Sequence, residues 1–201
     1  AESGYHLIFS AFERSKLWDG EVQSLAQKLL KRGGFDGAIF INGVADDFVL
    51  TFHKSGIPVV LADKQMSHAR IPWIVPDNVS GAAAAARHLV ELGHRRIAFL
   101  TAPEDPVVHA RLRGFRQALD EAGVRLDPKN IIEGQYEVQR SYEVTAEFIR
   151  GAKKENLPTA VFAINDEAAI GVMKAFQEKG YRVPDDVSVI GFDDIAWAEH
   201  S

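Results

Sequence analysis

The chain has 201 residues, 46% hydrophobic and 25% charged, a balance that fits one globular domain or two small ones. It contains no Cys, which excludes a disulfide framework and a Cys-ligated zinc site and fits a reducing cytoplasm, the expected compartment. With a net charge of −5 there is no basic patch, so phosphate neutralisation cannot drive nucleic-acid binding and any contact with DNA falls to another segment. No apolar run approaches the ~20 residues needed to cross a bilayer, and no charged-then-apolar leader opens the chain.

A short apolar run, a turn and then a 3.6-period amphipathic segment recur along the chain, which argues β-α units around parallel sheets. The opening AESGY reads as the last turn of a helix with its Gly stop, and a strand follows at residues 5–10. Asp19 then caps a helix carrying Val22, Leu25, Leu29 and Leu30, closed by Gly33 and Gly34. Strands at residues 36–42 and 58–62 flank a helix capped by Asp46 or Asp47 that ends near Gly56. Ile74 and Val75 form a short edge strand between two prolines, and Asn78 or Ser80 starts a third helix ending at Gly93. The alanine run in that helix reads as packing, because Ala is the best helix former and permits close contact.

Residues 93–96 read as a junction between two α/β lobes, 1–93 and 94–201, and clefts between lobes favour small ligands. After it come strands at 97–102, 130–135, 160–165 and 187–191. The helices between them have Leu112, Phe115, Leu119 and Ala122 as the inner face of the first, stopped by Gly123, then spans of roughly 141–150 and 166–179. The chain closes at AWAEHS just after a strand, so both ends read as cut from something longer.

Parallel strands point their carboxyl ends at one edge of the sheet, where ligands gather in open α/β folds. Thr101, Tyr136, Asn165 and Asp193 each stand at or just past such an end, and Arg111 lies in the first turn of the helix after the first of those strands. An arginine, a carboxylate, an amide and an aromatic ring suit a polyhydroxylated ligand: the polar groups hydrogen-bond hydroxyls and the ring covers an apolar face. Each residue also has a plainer role. Asp193 and Asp166 are acceptable helix N-caps, Arg111 suits a solvated helix surface, and Tyr136 suits simple packing.

Enzyme signatures are missing. There is no G-x-S-x-G elbow, no G-x-x-x-x-G-K-[ST] loop and no G-x-G-x-x-G after a strand, and Gly33-Gly34 belongs to a helix-ending turn. The seven His are scattered, and His88 and His94 do not share a helix face, so no metal site, no cofactor and no catalytic residue is expected.

Four segments carry a family resemblance: HLVELGHRRIAFLTAP (residues 88–103), ARLRGFRQALDEAGV (110–124), TAVFAINDEAAIGVMKA (159–175) and RVPDDVSVIGFDD (182–194). In order and spacing they resemble the effector-binding core of LacI/GalR-family transcriptional regulators. The resemblance implies a periplasmic-binding-protein-like fold of two α/β subdomains linked by three crossovers, with a sugar-like effector between them. It implies further that operator DNA is bound, as a homodimer, through a helix-turn-helix and hinge helix that this chain lacks. The family's first strand, most of its first helix and its C-terminal crossover also lie outside this chain. By position in the matching motifs, Arg111, Asn165, Asp193 and Tyr136 become effector-binding residues, and Asp77, which with Asn78 matches a D-N pair ahead of the crossover helix, joins them with Thr101 as an expected ligand-binding residue. His109 departs from the pattern, standing where a second arginine is common. Dimer contacts are expected on the outer faces of the helices at 46–56 and 166–179.

The competing readings are a periplasmic solute receptor, which shares the fold, and an α/β enzyme. The close motif matches disfavour the first, and the missing nucleophile, phosphate loop and metal set disfavour the second.

Overall fold

The computed structural model describes residues 21–34, 36–41, 44–66, 70–103 and 106–198. The expected strand at 5–10, the opening helix end and the Asp19 cap lie outside them. Two compact units divide the chain, Ala1–Pro76 and Asp77–Ser201.

The first unit has a parallel sheet in the order β1 (Ala38–Ile41), β2 (Val59–Ala62) and β3 (Trp73–Ile74). Its helices are α1 (Glu21–Arg32) and α2 (Asp46–Lys54), which pack against one another. Lys31 and Arg32 face the negative end of the α1 dipole, and Gly33 then takes φ +64°, which stops the helix as expected. The expected Asp cap on α2 is not formed: Ala45 is the N-cap with no side-chain bond, and Asp46 pairs with Lys64 at 2.7 Å. Phe40 meets Phe48 and Phe52 edge to face at 5.5 and 5.2 Å, closing a core with Leu61 and Met66.

The second unit runs α3 (Asn78–Glu91), β4 (Ile97–Thr101), α4 (Pro106–Glu121), β5 (Ile131–Glu133), α5 (Val138–Gly151), β6 (Ala160–Ala163), α6 (Asp166–Glu178) and β7 (Ser188–Ile190). Its parallel sheet has the order β5-β4-β6-β7. Strand order therefore reverses: the chain leaves β4 toward one side and returns to the other. Right-handed crossovers then place α4 on one face and α5 and α6 on the opposite one. Helix α3 packs along α4, which is why it belongs with the second unit although the sequence placed it before the junction at Gly93. The backbones touch at Gly114, where a Cβ would stand 2.1 Å from the carbonyl oxygen of Val79. Covered on both faces, β4 and β6 are buried at every residue, and Phe99, Phe115 and Phe162 stack between them and α4.

The most basic stretch of the sequence is spent on this framework. Arg95 donates to the carbonyls of Val90 and His94, and Arg96 donates to that of Leu157, tying the end of α3 to the start of the sheet. Among the described residues no helix is long and apolar enough to cross a membrane.

Candidate functional site

Reversal of strand order opens a crevice beyond the carboxyl ends of β4 and β6, the place where doubly wound sheets bind ligands. Thr101 ends β4, and Asn165 follows β6. Tyr136 follows β5 and Asp193 follows β7, so all four stand along the same edge of the sheet.

Arg111 lies in the second turn of α4, since that helix starts at Pro106, one turn earlier than the sequence suggests. It is 4% exposed, not a solvated surface arginine. Its Nε donates to Asn78 Oδ1 at 2.8 Å, its Nη1 to the carbonyl of Ile164, and its Nη2 to Asp193 Oδ1 at 3.1 Å. The guanidinium carbon sits 3.7 Å from the centroid of the Phe192 ring, a cation–π contact. Asp193 keeps 41% of its side chain exposed, so the pair has one buried end and one end open to solvent.

The loop after β7 is held twice more by Asp166. Its backbone N–H donates to the Phe192 carbonyl at 3.0 Å, and its Oδ2 accepts from the Ile195 N–H at 2.9 Å. Gly191 is required beside it, because a Cβ there would fall 2.1 Å from Asp166 Oδ1. Asp166 therefore anchors a loop instead of capping α6. That cap is Asn165, whose Oδ1 accepts from the Ala168 N–H at 2.8 Å. The Nδ2 donors of Asn165 take no partner among the described residues.

The other expected residues make contacts of their own. Asp77 is the N-cap of α3, not Asn78 or Ser80: its Oδ1 accepts from the Ser80 N–H at 3.0 Å. The Ser80 backbone and side-chain bonds hold its carboxyl below the usual carboxylate range. Thr101 is buried with its hydroxyl donating to the Ala102 carbonyl at 3.3 Å. Tyr136 is partly buried and packs against the main core. A shallow pocket of about 500 Å³ is lined by Asp166, Gly191, Phe192, Asp193, Asp194 and Ala198. Of the residues expected from the sequence, only Asp193 is on its wall. Phe192 and the loop-anchoring role of Asp166 escaped sequence reading, since Phe192 looks like the end of an apolar strand. Asn78 had a signal, the D-N pair, without a role attached to it.

Three comparisons bear on this arrangement. Residues 86–201 match the family described as periplasmic binding protein-like domain. Over 192 residues the chain is 35% identical to catabolite control protein A of Priestia megaterium, covering 94% of this chain and 56% of that protein. A regulatory protein of LacI family from Chloroflexus aggregans shares the fold with a TM-score of 0.80 at 28% identity, covering 92% of this chain and 66% of that one. A LacI family transcriptional regulator from Enterococcus faecium, solved with bound ribose, gives 0.75 at 34% identity, covering 90% and 66%. The chain thus spans about half the length of the curated relatives it matches. The matches cover both units and the motifs that build the Arg111–Asp193 site, and by them the chain belongs to the periplasmic-binding-protein-like family in the form carried by LacI-family transcriptional regulators.

Proposed function

We propose that this chain is the effector-sensing part of a LacI/GalR-type regulator, that it binds a small hydroxylated molecule, a sugar or sugar derivative, and that binding alters operator affinity. The observation that carries the reading is the half-exposed Asp193 carboxylate, held at the sheet's switch point by a buried arginine and open to a shallow pocket. Asp193 accepts from ligand hydroxyls, Asn165 Nδ2 donates to them, and the Tyr136 ring covers the ligand's apolar face. The ribose bound by the Enterococcus faecium relative supports this ligand class. In this reading the protein is a cytoplasmic homodimer and not an enzyme, and a helix-turn-helix outside this chain contacts the operator.

Effector changes operator affinity only by binding one arrangement of the protein better than the other, with a coupling of about 1–3 kcal/mol. Two measurements test the proposal. Calorimetric titration of the chain with ribose and a panel of neutral mono- and disaccharides is expected to find one that binds, with binding lost in Asp193→Ala. Operator affinity of the polypeptide that joins this chain to its DNA-binding segment is then expected to shift five- to 150-fold at saturating ligand. An unchanged operator affinity sinks the regulatory reading.

A further inference from the structure

Two residues of the loop after β7 are held in backbone that side chains disfavour. Asp193 has φ 111° and Asp194 φ 57°, conformations that persist only where the surroundings over-determine them. One residue grips this loop on both flanks. The Asp166 N–H donates to the Phe192 carbonyl at 3.0 Å, and Asp166 Oδ2 accepts from the Ile195 N–H at 2.9 Å. Only Asp193 and Asp194 lie between the two anchored residues, so the clamp closes on the strained pair itself.

The local sequence makes room for that clamp. Asp166 opens α6, where the positive end of the helix dipole favours a carboxylate, and Asn165 takes the capping role that would otherwise occupy it. Gly191 lets the carboxylate lie against the end of β7: a Cβ there would stand 2.1 Å from Asp166 Oδ1 and 3.0 Å from its Cα. Asp166 is buried although it borders the pocket, and a buried carboxylate is tolerated only where hydrogen bonds replace its water.

We infer that Asp166 is a positioning residue for the effector site: its carboxylate holds the backbone of residues 192–195 in the arrangement that presents Asp193 both to the pocket and to the Arg111 guanidinium. The inference rests on the reading of Asp193 as an effector contact, and it holds equally with Arg111 as a second one. Gly191 belongs to the same device, since any side chain there displaces the carboxylate.

The test combines backbone amide exchange, followed by NMR in the intact 201-residue chain, with calorimetric titration by ribose or whichever saccharide of the panel binds the wild type. Asp166→Ala is expected to speed exchange of the Ile195 amide by about tenfold or more and to move the Asp193 and Asp194 amide signals. The buried amides of Phe99 and Phe162 keep their wild-type rates. The dissociation constant is expected to rise about tenfold to hundredfold, the range for a hydrogen bond to a charged group. Asp166→Asn, whose amide oxygen accepts the same bond without the charge, is expected to restore the signals and to bind within about fivefold of the wild type. A general loss of stability predicts neither that rescue nor a change confined to the loop. If Asp166→Ala does not fold, Gly191→Ala, whose methyl pushes the carboxylate away, serves the same comparison. The inference is overturned if Asp166→Ala leaves either the Asp193 signals or the affinity unchanged. It is overturned equally if Asp166→Asn restores the loop signals and still binds as weakly as Asp166→Ala, which would make the carboxylate a direct contact. Should no saccharide bind the wild type, the proposed function fails, while the exchange comparison still decides whether Asp166 holds the loop.

Discussion

The two sheets are made of nearly the same strand chemistry and are buried differently. The first unit's β1 reads AIFI and alternates between half-buried and exposed, leaving Ile39 and Ile41 64% and 66% exposed. The second unit's β4 and β6 read IAFLT and AVFA and are buried throughout. The difference lies in topology. In the first unit β1, β2 and β3 follow one another in one direction, α2 joins the first two, and α1 packs on α2, so the described helices share one face. Ile39, Ile41, Val60 and Ile74 fall on the other face by register. In the second unit the strand order reverses at β4, which sends helices to both faces and opens the crevice where the Arg111–Asp193 pair sits. One reversal both completes the burial and creates the site.

Replacing a fully buried ring of the second sheet is the largest test of this contrast. Phe162→Ala is expected to cost about 4 kcal/mol in chemical denaturation, the usual range for emptying a core aromatic. A loss below about 1 kcal/mol would mean that the double-sided burial is not what holds the unit together. Next comes the helix layer that provides the covering. Gly114→Ala drives a methyl into the Val79 backbone and is expected to destabilise by about 3 kcal/mol, seen as a lowered unfolding midpoint. A neutral result would show that α3 and α4 stand further apart than described.

On the first sheet, Ile39→Thr keeps a β-branched side chain on the exposed face and is expected to change stability by less than about 0.5 kcal/mol. A loss above about 1.5 kcal/mol would place packed side chains against that face and remove the contrast.

The smallest effect concerns the turn before β7. Asp186 accepts from both the backbone and the guanidinium of Arg182, which lowers its carboxyl from 3.8 to about 2. A lowered folded-state value contributes stability above pH 3.8 that is lost as pH falls toward about 2. Asp186→Asn is therefore expected to be slightly less stable than the wild type near neutrality, with the gap closing through that acid window. A gap that persists at the acid end would assign the effect to packing instead of charge.

Much of the fold was legible because it depends on local pattern. Each strand and helix expected within the described residues is present with ends shifted by a few positions, since apolar runs and 3.6-residue periodicity survive any tertiary context. Caps were less legible. Asp77 and Asn165 cap α3 and α6 where neighbouring residues were equally eligible, because the choice depends on where the first backbone N–H groups point. The expected site residues do share a sheet edge, as parallel strands require, but Thr101 turns inward and Asp77 is occupied as a cap.

What the sequence determined by itself was therefore the set of elements, the family to which the motifs belong and the edge at which polar residues collect, all consequences of short-range order and of strand direction. The tertiary structure alone decided that Arg111 is buried, that Asn78 and Phe192 hold it, and that Asp166 anchors a loop. Those contacts join segments from 26 to 82 residues apart in the chain, as for Asp166 with Phe192 and Arg111 with Asp193, and no periodicity records which distant side chains will meet. The same holds for the exposed face of the first sheet among the described residues. The residues on it are as apolar as those of the buried sheet, and only the direction of the crossovers tells them apart.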